Sequence, residues 1–112
     1  MSDVFRVADI VSECSTRERG RRVYPALVSF FRSWNSRRHD VVISFEDVDL
    51  VTPSFLDETI VRLVQEEPKG RVTLRQIRDF PMRSLMRMLE ATGKTITVSR
   101  VSDGVYSVAA AA

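Results

Sequence analysis

The stretch DVVISFEDVDLV, residues 40–51, constrains the fold more than any other part of the chain. Its β-branched start is apolar almost without a break, the pattern of a central strand buried on both faces. Directly after it, Thr52-Pro53-Ser54 carries the chemistry of a helix start. A buried strand that hands over at once to a helix implies a crossover unit, because parallel neighbours cannot be joined by a tight turn. The chain is thereby directed toward the α/β class.

The remaining segments follow the same alternation. Val4–Ala8 reads as a first strand, with Phe5 and Val7 alternating against Arg6. Ser15 and Glu18 form an S-x-x-E capping box, and Gly20, Val23, Leu27, Phe30, Phe31 and Trp34 recur at helical spacing. Pro25 lies on the opposite face from Val23, where it predicts a kink convex toward solvent. A second helix is expected from Pro53 or Ser54 to Gln65, with Phe55, Ile60, Val61 and Val64 inward and Glu66, Glu67 and Pro68 closing it. Arg71–Arg75 fits a strand with Val72 and Leu74 on one face.

Asp79 is placed to cap a third helix, with Pro81 in its first turn, the stripe Met82, Leu85, Met86, Leu89, and Gly93 as its stop. Thr95–Arg100 and Val105–Ala109 then predict a hairpin around Asp103-Gly104. The expected fold is one domain over residues 1–112 in the order βαβαβαββ. It is a single-layer mixed, mainly parallel sheet with an antiparallel edge and helices packed on it. The tail 109–112 has little to anchor it and is expected to fray.

Composition enters as a set of exclusions. With 44% hydrophobic and 29% charged residues the chain is globular rather than disordered. Its apolar runs, such as VVI at 41–43, fall far short of the roughly 20 residues that span a bilayer, and no signal-type apolar region follows the N-terminus. A soluble, cytoplasmic protein without a membrane partner is expected. The single cysteine, Cys14, has no internal disulfide partner, and His39 is the only imidazole, so neither a zinc cluster nor another cofactor is expected. Cys14 reads as a buried or half-buried small residue.

Polar chemistry concentrates at the second strand–helix junction. In parallel sheets, ligands and reactive groups gather beyond the carboxyl ends of strands, where helix N-termini present open amides. Two capping schemes compete there: Thr52 as cap with Pro53 at the first helical position, or Ser54 as cap with Asp57 three residues on. Either leaves one hydroxyl free, and a phosphate on it gains amide hydrogen bonds plus a dipole interaction of ~0.3–1 kcal/mol. Ser54 and Thr52 are therefore phospho-acceptor candidates. Thr52, Pro53, Ser54, Phe55, Asp57, Glu58 and Val61 form the expected partner-binding surface. In the purely structural alternative, the hydroxyls only cap and the two carboxylates only complement the dipole.

The same residues resemble a known family. Phe45-Glu46-x-Val48 at the end of an aliphatic strand, followed by Ser54-Phe55-x-Asp57-Glu58, is similar to the STAS-like family of unknown function. VTLRQIRDFPMRSLMRML downstream and Ser15-Thr16-Arg17-Glu18 upstream extend the likeness over roughly residues 15–92, with Gly20 standing where the family has alanine. The resemblance implies a small bacterial regulatory module related to anti-sigma-factor antagonists, which an ATPase-type kinase switches by phosphorylating a serine at this junction. Antagonists carry an Asp-Ser-Ser-Gly-like turn, whereas here Pro53 or Ser54 stands at the acceptor position and Phe55 replaces the glycine. The reading that follows is a signalling and interaction module whose partner is that kinase or another regulatory protein. Phosphorylation is its regulated form and a constitutive binding module its simpler one.

The remaining charged residues raise two other chemistries. Lys69 and Lys94 are the only lysines, so fifteen of the 17 basic residues are arginine. Arg17, Arg19, Arg21, Arg22, Arg32, Arg37 and Arg38 share their segment with one carboxylate, Glu18. Arg17, Arg21, Arg22, Arg37 and Arg38 thus form an alternative anion-binding set for a nucleic-acid partner, although the aromatic interleaving of single-strand binders is missing. Catalysis is not expected. Asp57 and Glu58 point about 100° apart on a helix, and no Gly-x-Ser-x-Gly elbow or phosphate-cradling loop is present. Met88, off the apolar stripe, and Phe80 mark a second candidate contact patch on the third helix.

Overall fold

The computed structural model describes residues 4–35, 41–67 and 70–110. The side chain of Trp34 and residues Arg37, Arg38, His39 and Pro68, each singled out above, lie outside that description.

In chain order the elements are β1 (Val4–Arg6), β2 (Glu13–Cys14), α1 (Arg17–Asn35), β3 (Val41–Ser44), β4 (Leu50–Val51), α2 (residues 53–66), β5 (Arg71–Arg75), α3 (Asp79–Thr92), β6 (Ile96–Ser102) and β7 (Val105–Ala110). Five strands form one sheet in the order β1-β3-β5-β7-β6, and β2 and β4 form a separate parallel pair. The β1–β3 and β3–β5 ladders are parallel, whereas β5–β7 and β6–β7 are antiparallel. The sheet is therefore evenly mixed rather than mainly parallel. Strand β7 returns between β5 and β6, so the expected antiparallel edge is present and consists of the whole hairpin, with β6 outermost.

The expected single strand over 40–51 is broken. After β3, Phe45 donates its N–H to Arg75 O, and Val48 N–H then bonds back to Phe45 O in a turn that places Asp47 at φ 65°. Aspartate is among the few non-glycine residues that tolerate this left-handed conformation. The chain leaves the main sheet there and pairs instead with β2, Asp49 N–H reaching Ser12 O and Thr52 N–H reaching Cys14 O. Two short strands are thus added to the expected order.

Nor is β3 buried on both faces. Phe5, Ile43, Leu74 and Tyr106 lie in one cross-strand row and are buried, whereas the alternate row Val42, Thr73 and Ser107 is only half-buried. The helices cover one side: α1 packs on β3 and α2, and α2 packs on α3 and, through its last turn, on β7. At the C-terminus, Ala109 pairs with Arg71 and Ala110 with Ile96, so the tail is a strand as far as residue 110.

Helix ends explain the rest. Thr16, not Ser15, caps α1, its Oγ1 accepting the Arg19 N–H at 3.1 Å. Pro25 sits inside α1 on its exposed face. In α2, residues Asp57–Val61 form a π-helical turn, with the Arg62 N–H reaching Asp57 O. The extra residue rotates the apolar stripe, so that Phe55, Leu56, Ile60, Val61, Leu63 and Val64 are all buried. Buried Thr59 donates its hydroxyl to Phe55 O at 2.9 Å and so carries no unpaired group inside. Asp79 starts α3 without capping it; its carboxylate instead accepts from Tyr106 OH and pairs with Arg100. Gly93, at φ 69°, ends α3 in the left-handed conformation that a side chain disfavours.

Candidate functional site

Beyond the carboxyl ends of β3 and β5 the chain forms a groove of about 290 Å³. One wall runs from Phe45 through Val48, Leu50 and Val51 to Thr52 and Pro53; the other comprises Gln76, Ile77, Arg78, Phe80 and Pro81. The break after β3 builds the first wall, because Asp47 turns the chain outward and the β2–β4 pair holds it there. The second wall begins with Gln76 at φ 55°, a strained conformation for a side chain and the kind that clusters at binding sites. The groove is mainly apolar and its rim is unusually so: Phe80 is 66% and Leu50 50% exposed. A solvated loop gains nothing from exposing such side chains.

The capping question is resolved at this wall. Thr52 Oγ1 accepts the Phe55 N–H at 3.4 Å and donates to Cys14 O at 3.3 Å, with Pro53 in the first helical turn. Thr52 therefore joins α2 to the β2–β4 pair, and its hydroxyl is engaged. Ser54 is half-buried next to the groove but not in its walls, and its hydroxyl has no hydrogen-bond partner among the described residues. Cys14, beneath Thr52, is buried, which pushes its thiol up to about 12 and keeps it inert.

The other expected contact residues turn inward. Phe55 and Val61 are each 0% exposed, so neither reaches a partner, and the contact role expected of them is corrected to a core role. Asp57 and Glu58 do not face solvent as a free acidic pair. Asp57 accepts from Arg17 Nη1 at 2.7 Å and from Lys94 Nζ at 2.8 Å, and Glu58 lies 3.4 Å from Arg17 and 3.7 Å from Arg21. These pairs clamp α1 and the β6 approach onto the start of α2. They fit because Gly20 brings α1 close: a Cβ there would lie 2.9 Å from Glu58 Cβ.

The same pairs consume the arginine face. Arg19 bonds Glu13, Arg22 bonds Glu18, and Arg32 grips Glu67 through two nitrogens, so the expected anion-binding residues Arg17, Arg21 and Arg22 already have carboxylates beside them. Met88 is half-buried against the core and away from the groove, whereas Phe80 stands at the other end of α3; the two do not form one patch. Among the described residues no cluster of metal-ligating side chains is present, and no helix is long and apolar enough to cross a membrane.

Residues 29–79 match the model of a STAS-like domain of unknown function. No curated protein and no solved structure matches the chain. The STAS-like match is shorter than the span 15–92 over which the sequence resemblance was read. It takes in the last seven residues of α1, then β3, β4, α2 and β5, and so contains the strand–helix junction and every groove residue named above except Phe80 and Pro81.

Burial pushes the Asp57 carboxyl up, but hydrogen bonds from Lys94 and Arg17 outweigh it and hold the group below the ordinary carboxylate range. A carboxyl depressed in the folded state stabilises it above the unfolded value of ~3.9, and that contribution is lost as pH falls through the folded value. Asp57→Asn should cost about 1.5–3 kcal/mol at neutral pH, the range for hydrogen bonds to a charged group. It should also flatten the loss of stability below pH ~4. Urea midpoints of both proteins across the acid range check both statements; equal slopes would remove Asp57 as the acid-sensitive clamp.

Proposed function

We propose that the chain is a non-catalytic regulatory module that binds a protein partner, and that the groove between Leu50 and Phe80 takes one or two apolar side chains of that partner. The observation that carries this reading is that two exposed apolar residues, Leu50 and Phe80, line one mainly apolar groove at the strand ends. Pockets for small ligands usually enclose ~300–1,000 Å³ and bury most of the molecule. This groove, at about 290 Å³, lies just below that range, which suits the anchor side chain of a protein surface. The STAS-like match supports a regulatory role, since the antagonists that such sequences resemble act through contacts at the same strand–helix junction. A phosphoryl switch fits Ser54 better than Thr52, because the Thr52 hydroxyl is already committed to Phe55 N and Cys14 O.

The test is capture of partners by the tagged domain, compared with Phe80→Asp. An exposed site tolerates that change within about 0.5 kcal/mol of stability. Loss of an aromatic anchor and burial of a charge should weaken partner binding by about 2 kcal/mol, roughly 30-fold. The same capture with Ser54→Glu reads the switch: altered binding supports regulation at Ser54, and unaltered binding leaves the constitutive module. A folded Phe80→Asp protein that retains its partners at wild-type affinity would sink the groove as the contact site.

A further inference from the structure

We propose that β6 and α3 form a two-fold interface with a second copy of this chain, in which β6 pairs antiparallel with itself about Val98 while Arg83 of each copy meets Glu90 of the other. Strand β6 is an outer strand of the five-stranded sheet and is seven residues long. Exposed edges of that length are normally guarded by proline or by outward charges. Here Ile96–Ser99 contains neither: Lys94 before it turns to the half-buried Asp57, and the exposed Arg100, paired with Asp79 and Asp103, and the register shift between Arg100 and Ser102 stand only beyond it.

The helix above the edge is self-complementary about the same point. Met86 and Glu90 border a small groove with Ile96 and Val98, so this row of α3 lies over β6. One turn earlier on the same row stands Arg83, near Asp79, which itself contacts Arg100 of β6. Arg83 and Glu90 are both exposed, and neither has an ion pair among the described residues. A two-fold axis through Val98 and Met86 sets Val98 against Val98 and Met86 against Met86, and brings the exposed Thr97 and Ser99 of the two strands opposite each other. It also carries each Arg83 to the other copy's Glu90, so one operation satisfies strand, apolar row and charges together. The half-buried Met86, Ile96 and Val98 supply the apolar centre of the contact.

Charge reversal at these two exposed positions tests this, with circular dichroism as the control for the fold. Wild-type chain should sediment as a dimer. Arg83→Glu alone sets two glutamates together, Glu90→Arg alone sets two arginines together, and each should weaken self-association by about tenfold or more. Mixing the two variants restores both oppositely charged contacts, so a heterodimer should form, detectable by native mass spectrometry. A wild-type protein that is monomeric up to its solubility limit overturns the proposal. So does a mixture that fails to give the heterodimer although each variant is folded by circular dichroism.

Discussion

Phe55→Ala is expected to unfold the domain rather than to remove a contact. The ring is fully buried at the first turn of α2, and truncating such a phenylalanine typically costs ~3–5 kcal/mol, much of the stability of a domain this size. The site offers little room to relax, because the Phe55 backbone is held at both ends. Its N–H caps on Thr52, and its carbonyl accepts the Thr59 hydroxyl at 2.9 Å while lying 3.2 Å from where a Cβ on Gly20 would stand. Circular dichroism melts should therefore show a transition lowered by tens of degrees or absent, with partner binding lost in proportion to the unfolded fraction. Phe80→Asp should do the opposite, binding poorly while melting close to wild type. If Phe55→Ala melts normally and still loses its partner, the junction itself is the contact surface and the groove is not.

That contrast marks where the sequence was legible. Helical periodicity identified Phe55, Ile60, Val61 and Val64 as inward, and each is buried. Phe55 and Val61 could also be placed on a contact surface because polar neighbours surround them. Periodicity cannot separate a side chain pointing into the core from one pointing at a partner, and the π-helical turn at Asp57–Val61 has no sequence signal of its own. The broken strand was hidden for a related reason. Phe45, Val48, Leu50 and Val51 are apolar because they line the groove and the β2–β4 pair, yet in a linear reading they continue β3. The Glu46-Asp47 pair was the available clue, since two carboxylates inside a supposedly buried strand demand partners. They find one in Arg6, at 3.0 and 3.3 Å.

Charge was the least legible property. The arginine-rich segment reads as a positive patch because its partners lie forty positions away or beyond the next strand: Arg17 meets Asp57, and Arg32 meets Glu67. Pairing of that kind depends on α1 and α2 lying side by side. Phe80 was named as a contact residue only together with Met88, and that it shares a groove with Leu50 required the second wall to be known. The groove, in contrast, lies where topology alone directs the search for a binding surface, because open α/β sheets gather such surfaces beyond their strand ends.

Gly70→Ala should be as damaging as the loss of Phe55, though it adds only a methyl group. A Cβ at this position would stand 2.6 Å from Val64 Cα and 2.8 Å from Val64 O, closer than real Cβ contacts come. The atoms in the way are backbone of α2, so no side-chain rotation relieves them, and the last turn of α2 or the start of β5 must move. Both are held: Gly70 donates to Glu67 O and accepts from Ala110 N–H, while Glu67 is gripped by Arg32. Overpacking against fixed atoms usually costs ~1–3 kcal/mol, and a clash with backbone belongs at or above the upper end. The displacement propagates along rigid elements. Helix α2 begins at Thr52-Pro53 in one groove wall, and β5 runs directly into Gln76 in the other. A variant that survives folding should therefore also bind its partner more weakly although no groove residue has changed. Denaturant midpoints and partner affinity measured together check this; a Gly70→Ala protein with wild-type stability would mean that α2 and β5 are not packed as tightly as these distances require.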